Sequence, residues 1–176
     1  SNPDQAIKHY QKELNINPQA RNSLLNFGLL LLQKGQAAAA VESLAKASNL
    51  APSEQCSLLL AQAYQNLGQF KEAITEYKKV NISQSNNKLI PFNFGLCLLS
   101  IGDNNAAIEA FNIAVQLDES FIPAWGNIGT ALINEGRHQE ALPATQKVLA
   151  LDPDNPTAHM NLGGIYKDLG NLDQAL

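Results

Sequence analysis

Primary amides are the side chains in this sequence whose type and spacing could do chemistry, whereas its acid–base and nucleophilic groups are scattered. His9, His138 and His159 fall at unrelated positions, with no HExxH motif and no carboxylate cluster, so neither metal binding nor acid–base catalysis is indicated. Cys56 and Cys97 lack CxxC spacing and are expected to be small buried hydrophobes in a reducing compartment. The sequence therefore predicts no catalytic residue, no metal site and no cofactor.

Asparagine, in contrast, recurs at one position of an internal repeat. A primary amide both donates and accepts hydrogen bonds, which makes it the complement of a peptide unit. We therefore expect these side chains to hold the backbone of an extended polypeptide; the alternative is that each one satisfies only neighbouring backbone or water. The four residues are Asn26, Asn93, Asn127 and Asn161, with Leu59 at the equivalent position of the remaining copy.

The repeat that sets this spacing is 34 residues long, with one deletion. In each copy a small residue follows an apolar one, a glycine comes seven residues later, and an alanine five residues after that. This pattern predicts two helices joined at the glycine, with the first small residue allowing the helices to approach closely. The three series are Gly28, Ala61, Gly95, Gly129 and Gly163; Gly35, Gly68, Gly102, Gly136 and Gly170; and Ala40, Ala73, Ala107, Ala141 and Ala175.

The pattern resembles the tetratricopeptide repeat, a 34-residue helix-turn-helix array. The fourth copy is the fullest match, with Trp125, Gly129, Gly136, Ala141 and Pro153 in place. The resemblance covers essentially the whole chain and implies an all-α, right-handed superhelical solenoid of antiparallel helix pairs. The predicted single domain, 1–176, comprises a lone second helix in 1–20, full repeats at 21–53, 54–87, 88–121 and 122–155, and a truncated fifth repeat at 156–176.

The asparagine ladder resembles the one lining the inner surface of the tetratricopeptide superhelix of O-linked N-acetylglucosamine transferase, where amides hold an extended peptide by its backbone. This resemblance implies a non-catalytic protein-interaction scaffold that binds an extended peptide or partner segment in its concave groove. Apolar side chains on the same face would set the sequence preference. The predicted peptide-binding residues are Asn26, Asn93, Asn127, Asn161, Leu29, Phe92, Leu96 and Thr130.

Composition and charge argue against several other partners. A net charge of -4 gives no positive field for nucleic acid, and apolar runs such as residues 29–32 are far too short to span a membrane. Family members that bind chaperone tails hold a terminal carboxylate with lysine and arginine, but the equivalent positions here are uncharged: Leu25, Leu29, Leu89 and Asn93. We therefore expect a cytoplasmic protein with a protein or peptide partner.

Two further functions stay open. Because the chain starts at Ser1 and its only methionine is Met160, we expect it to be a piece of a longer protein, in which the repeats could select substrates for an enzyme such as a glycosyltransferase. In addition, residues 2–7 echo residues 171–176, so a head-to-tail homo-oligomer could form through 1–18 and 156–176.

Overall fold

The fold was obtained as a computed structural model, which describes residues 3–171. Within that range ten α-helices follow one another, joined by short turns and one 3₁₀ turn, Ile82–Gln84, without a β-strand. The helices are α1 (Pro3–Ile16), α2 (Arg21–Gln33), α3 (Ala37–Leu50), α4 (Glu54–Asn66), α5 (Phe70–Tyr77), α6 (Leu89–Ser100), α7 (Asn104–Leu117), α8 (Ile122–Asn134), α9 (His138–Leu151) and α10 (Pro156–Asp168). The predicted all-α fold of paired helices is confirmed.

The helix boundaries follow the repeat. The lone helix expected near the start is α1, and α2, α4, α6 and α8 are the first helices of the four full copies. Each packs on the helix that follows it, which gives the pairs α2–α3, α4–α5, α6–α7 and α8–α9. The grouping of these pairs into one solenoid with the repeat bounds given above remains a prediction.

A glycine in the left-handed region ends each first helix, as the spacing predicts. In the first such turn, Gly35 has φ 72° and donates its N–H to Leu32 O at 3.0 Å, while Gln36 N–H donates to Leu31 O at 2.9 Å. These bonds satisfy carbonyls that the end of the helix would otherwise leave unpaired. The other four turn glycines, Gly68, Gly102, Gly136 and Gly170, have φ between 71° and 82°.

In α2 and α6 the small residue in the middle of the helix allows close packing, again as predicted. A Cβ built on Gly28 would lie 2.5 Å from Leu44 Cγ, and one on Gly95 would lie 2.6 Å from Phe111 Cε1. The atoms that approach the glycines therefore belong to side chains of the second helix, and both side chains are fully buried. A methyl group at either position would overpack the helix pair.

The chain forms two compact units, Ser1–Ile82 and Ser83–Leu176. The core of the first unit is built around buried leucines such as Leu24, Leu44 and Leu60. In the second unit Phe111 and Ile165 are among the largest fully buried side chains. Each unit thus buries apolar residues of its own, as a stack of helix pairs requires.

The last helix of the first unit, α5, is shorter than its counterparts. It spans eight residues, whereas α3, α7 and α9 each span fourteen. The chain after it is rich in Asn and Ser, whose side chains bond nearby backbone and compete with a helix. Ser85 Oγ accepts the N–H of Asn87 at 3.1 Å, and Asn87 Oδ1 accepts the N–H of Leu89 at 3.0 Å. These bonds order the segment that leads into α6, and they lie beyond residues 78–83, which a fourteen-residue α5 would include.

Candidate functional site

A cleft of about 270 Å³ lies in the second unit, where α8, α9 and α10 meet. The α8 residues that line it recur at helical spacing, so one face of that helix forms a wall. The cleft residues on which the following argument depends are Gly126, Asn127 and Thr130 on α8, Thr145 and Val148 on α9, and Asn161 on α10.

Three of the residues that the sequence predicts for peptide binding meet in this cleft. Asn127 and Asn161 occupy the same position of successive repeats, and Thr130 stands one turn further along α8. All three are half-buried, so each presents part of its surface to the cleft or to solvent. The geometry brings two rungs of the asparagine series to one opening.

The two amides differ in how much of their hydrogen-bonding capacity is used. Asn127 Nδ2 donates to the backbone oxygen of Pro123 at 2.8 Å. One N–H and Oδ1 of that amide form no hydrogen bond with the described residues. Asn161 makes no side-chain hydrogen bond within the same part of the chain. Of the polar groups on these two amides, only one N–H is thus used in a hydrogen bond to neighbouring backbone.

A third asparagine at the rim has a structural role. Asn155 caps α10, because its Oδ1 accepts the N–H of Ala158 at 3.0 Å. Its Nδ2 donates to Asp152 Oδ2 at 2.9 Å. Both ends of this amide are therefore engaged, and it holds the start of α10 in place beside the cleft.

The wall of the cleft is uncharged. None of the described residues that line it is an acid or a base. Three threonines line it, and two of their hydroxyls donate to their own helices, Thr130 Oγ1 to Gly126 O and Thr145 Oγ1 to Ala141 O, each at 3.0 Å. The hydroxyl of Thr157 forms no hydrogen bond with the described residues. Burying a charge in such surroundings would be costly, so the cleft favours a neutral ligand.

Gly126 lines the cleft without a side chain, and sequence reasoning missed it. A Cβ built on this residue would meet no atom within 4 Å. The signal was present in the sequence, because the equivalent positions of the other first helices hold large apolar residues: Leu25, Leu58, Phe92 and Met160. At this position α8 therefore lacks the large apolar side chain that each of the other first helices carries.

The other predicted residues of the second unit lie on α6 and do not line this cleft. Asn93 and Leu96 are half-buried. The ring of Phe92 packs against two aromatic neighbours, with centroid distances of 5.7 Å to Phe111 and 5.0 Å to Phe121. Phe92 therefore contributes to packing with part of its surface and remains partly exposed.

The two remaining predicted residues belong to α2 in the first unit. Asn26 is exposed and Leu29 is half-buried. Leu25, on the same helix, is only 7% exposed and belongs to the core of that unit. The expected partner face on α2 is thus less apolar than its sequence indicates.

In each unit, a basic residue at the start of the first full repeat contacts residues that directly follow the second helix of the same repeat. The type of contact differs between the two units. Arg21 donates from Nε to Ala51 O at 3.1 Å and from its guanidinium to Ser53 Oγ at 2.9 Å. At the equivalent position, Lys88 pairs with the Asp118 carboxylate. The hydrogen bond from Lys88, helped by bonds from Ser120, lowers the pKa of Asp118 to about 2.

The residues suited to catalysis or metal binding stay apart in the described part of the chain. No group of three or more His, Cys, Asp or Glu is placed there to hold a metal ion. Cys56 and Cys97 are free and fully buried, and burial raises the pKa of the Cys97 thiol to about 11. Across residues 3–171, every helix is too short or too polar to cross a membrane.

Three family profiles match the chain. Two are described as "Tetratricopeptide repeat" and match residues 58–120 and 132–176. The third, described as "Anaphase-promoting complex, cyclosome, subunit 3", matches residues 2–80.

Two curated proteins and a solved structure are similar to parts or most of the chain. The small glutamine-rich tetratricopeptide repeat-containing protein 2 of Mycosarcoma maydis is 30% identical over 56% of this chain and 28% of its own length. The human protein O-mannosyl-transferase TMTC3 is 34% identical over 37% of this chain and 7% of its own. The crystal structure of YrrB, "a TPR protein with an unusual peptide-binding site", superposes with a TM-score of 0.83 and 25% identity, covering 95% of this chain and 87% of that one. The chain spans less than a third of either curated relative.

Proposed function

We propose that this chain, which contains tetratricopeptide repeats, is a non-catalytic interaction scaffold that binds an extended segment of a partner protein in the cleft of the second unit. The observation that carries the proposal is that Asn127 and Asn161, one repeat apart, open on the same uncharged cleft. The description of YrrB as a protein with a peptide-binding site supports it.

The spacing of the amides suits an extended ligand. Packed helices lie about 8–10 Å apart, and an extended chain rises about 3.3 Å per residue, so successive first helices would meet the ligand about every third residue. Asn93 on α6 would hold the preceding stretch of the ligand, with Phe92 and Leu96 beside it. Asn26 and Leu29 are proposed to contribute equivalent contacts in the first unit.

The partner segment is expected to be neutral where it enters the cleft. The uncharged wall neither attracts nor pairs a charged side chain, and the lysine or arginine needed for a terminal carboxylate is absent from the lining residues that the structure describes. We place the interaction in the cytoplasm, where the two buried thiols would remain reduced.

A peptide array followed by fluorescence polarisation tests the proposal. The tightest array peptide is labelled and titrated with the wild type and with the double variant Asn127→Ala/Asn161→Ala. Removing two amides should weaken binding by roughly tenfold or more, because each hydrogen bond contributes about 0.5–1.5 kcal/mol.

The matched control for this experiment is Asn112→Ala/Asn134→Ala. Both asparagines are exposed, and neither lines the cleft. The control should leave the affinity unchanged. Equal affinities of the wild type and the cleft variant, or no binding by any array peptide, would contradict the proposal.

A second candidate is that the repeats select substrates for an enzyme domain elsewhere in a longer protein. The similarity to a segment of the O-mannosyl-transferase TMTC3 favours it. Determination of the full reading frame tests the idea, and a frame that encodes no catalytic domain would rule it out.

Head-to-tail assembly through residues 1–18 and 156–176 is a third candidate. In the first unit, α1 packs on α2, with Ser23 and Glu13 2.7 Å apart. Asp4 also pairs at 2.8 Å with Lys34, which directly follows α2. The same helix could dock on a neighbouring molecule, although residues 172–176, which carry most of the sequence echo and Ala175, lie outside the described residues. Light scattering that reports a monomer at high concentration would exclude this assembly.

A further inference from the structure

One repeat position is filled in some first helices and open in another. Three residues before the small residue stand Leu25, Leu58, Phe92, Gly126 and Met160. Leu25 is buried in the core of the first unit, the ring of Phe92 packs against Phe111 and Phe121, and Met160 is 70% exposed. In α8 this position is Gly126, which lines the cleft, and a Cβ built there would meet only open space, with no atom within 4 Å.

We propose that this space is a specificity pocket, which receives one large apolar side chain of a bound peptide, such as Leu, Met or Phe. The ligand would supply the side chain that the repeat lacks at Gly126. The inference rests on the proposed function, because it states which peptides the cleft prefers.

The lining of the pocket suits an apolar occupant. Val148 on α9 and Ile122 and Ala158 at its edges are apolar. The hydroxyls of Thr130 and Thr145 already donate to backbone oxygens, whereas the exposed Thr157 keeps its hydroxyl unbonded to the described residues. An apolar side chain that enters the pocket would therefore leave both the Thr130 and the Thr145 hydroxyl with its hydrogen bond.

The volume also fits one large side chain. A cavity of about 150 Å³ is enough to bind a benzene molecule in another protein. The cleft measures about 270 Å³, which accommodates a Leu, Met or Phe side chain together with part of the adjoining peptide backbone. A charged side chain would lose its hydration without gaining an ionic partner among the lining residues.

The amides lie where they could hold the peptide backbone next to this side chain. Asn127 follows Gly126 directly in α8, and Asn161 lines the cleft from α10. The amides would bind main-chain groups, which are the same in every peptide. Gly126 would then determine which side chain is accepted.

The test compares Gly126→Leu with Gly164→Leu. A Cβ at either glycine meets no atom within 4 Å, and both residues lie inside helices, where replacing glycine increases helix propensity. Gly164 does not line the cleft, so its variant is the matched control. Circular dichroism should show the same helix content and an equal or higher melting temperature for both variants.

Binding is measured with two peptides that differ at one position. The tightest array peptide is scanned with alanine to find its most sensitive apolar position, which gives a Leu peptide and an Ala peptide. The wild type and Gly164→Leu should bind the Leu peptide roughly 10- to 100-fold more tightly than the Ala peptide. This ratio of dissociation constants corresponds to the free energy of transferring one large apolar side chain out of water. In Gly126→Leu the preference should fall to near one.

The outcomes separate this inference from the proposed function. In one outcome, both peptides bind, Asn127→Ala/Asn161→Ala lowers the affinity for both, and Gly126→Leu still prefers the Leu peptide. The specificity pocket is then wrong, and the peptide site stands. If no peptide binds, N-acetyl-leucinamide is titrated while the Val148 methyl signals are followed by NMR. Shifts that Gly126→Leu abolishes would support the pocket without the peptide function, and unchanged signals would overturn both.

Discussion

The helices α2 and α8 show how one repeat position can serve two purposes. In the first unit, α2 carries Leu25, whose side chain is 7% exposed and completes the core. In the second unit, α8 carries Gly126 at the same position, and a cleft opens there. The glycine turns that end both helices are alike, with φ of 72° and 71°. The two helices therefore share their turn geometry and differ at this position, which carries a buried side chain in α2 and no side chain in α8.

The first prediction makes α2 resemble α8. Leu25→Ala removes a buried side chain from the core of the first unit and should lower the free energy of unfolding by about 2–5 kcal/mol, measured by urea denaturation. Gly126→Ala, which fills open space in a helix, should instead raise it by about 0.5–1 kcal/mol. A loss below about 1 kcal/mol for Leu25→Ala would show that the two positions differ less than their burial indicates.

The second prediction compares the tightness of the two helix pairs. A Cβ on Gly28 would approach Leu44 Cγ to 2.5 Å, whereas one on Gly129 would lie 3.2 Å from Thr145 Oγ1. Gly28→Ala should therefore destabilise the protein by about 1–3 kcal/mol through overpacking. Gly129→Ala should change the free energy of unfolding by less than about 1 kcal/mol, because helix propensity offsets the milder contact. Equal losses in the two variants would contradict the difference in packing.

The third prediction distinguishes the Lys88–Asp118 ion pair from the hydrogen bonds of Arg21 by the pH dependence of their contributions to stability. The pKa of Asp118 falls from its ordinary 3.8 to about 2 in the folded protein, so its contribution to stability is present above 3.8 and is lost as the pH falls through 2. The decrease in melting temperature caused by Asp118→Asn should thus be small but measurable at about pH 6, should shrink below pH 3.8 and should vanish only below about pH 2. The side chains of Asp118 and Lys88 are 28% and 37% exposed, so solvent screens their attraction and this is the smallest of the three effects.

The control for this prediction is Arg21→Gln in the first unit. Its partners, the Ala51 carbonyl and the Ser53 hydroxyl, do not titrate in this range. The decrease in melting temperature caused by Arg21→Gln should therefore be the same at both pH values. A pH-independent effect of Asp118→Asn would mean that the Lys88 pair does not stabilise the fold.

The paired helices and their turns could be predicted from sequence because each depends on one residue type at a fixed interval. Gly35 and its equivalents were expected to adopt the left-handed conformation, and they do. Gly28 and Gly95 were expected at close contacts, and a Cβ at either would collide with the facing side chain. Such signals are local and repeated several times, so they need no knowledge of the tertiary structure.

The cleft could not be predicted in the same way. It depends on residues of three helices and on a side chain that is absent, and an absent side chain gives no hydropathy signal. The hydrogen bond from Asn127 to Pro123 O and the cap formed by Asn155 depend on local geometry that the residue types alone do not specify. The repeat pattern also gives no sign that α5 ends as early as Tyr77.

The positions of the two cysteines give each unit its own chemical probe. Cys56 lies in the first unit and Cys97 in the second, and both thiols are fully buried. An alkylating reagent can reach either sulfur only when the surrounding helices separate. Mass spectrometry of the modified peptides would then compare how fast each unit opens, in one experiment and without any engineered label.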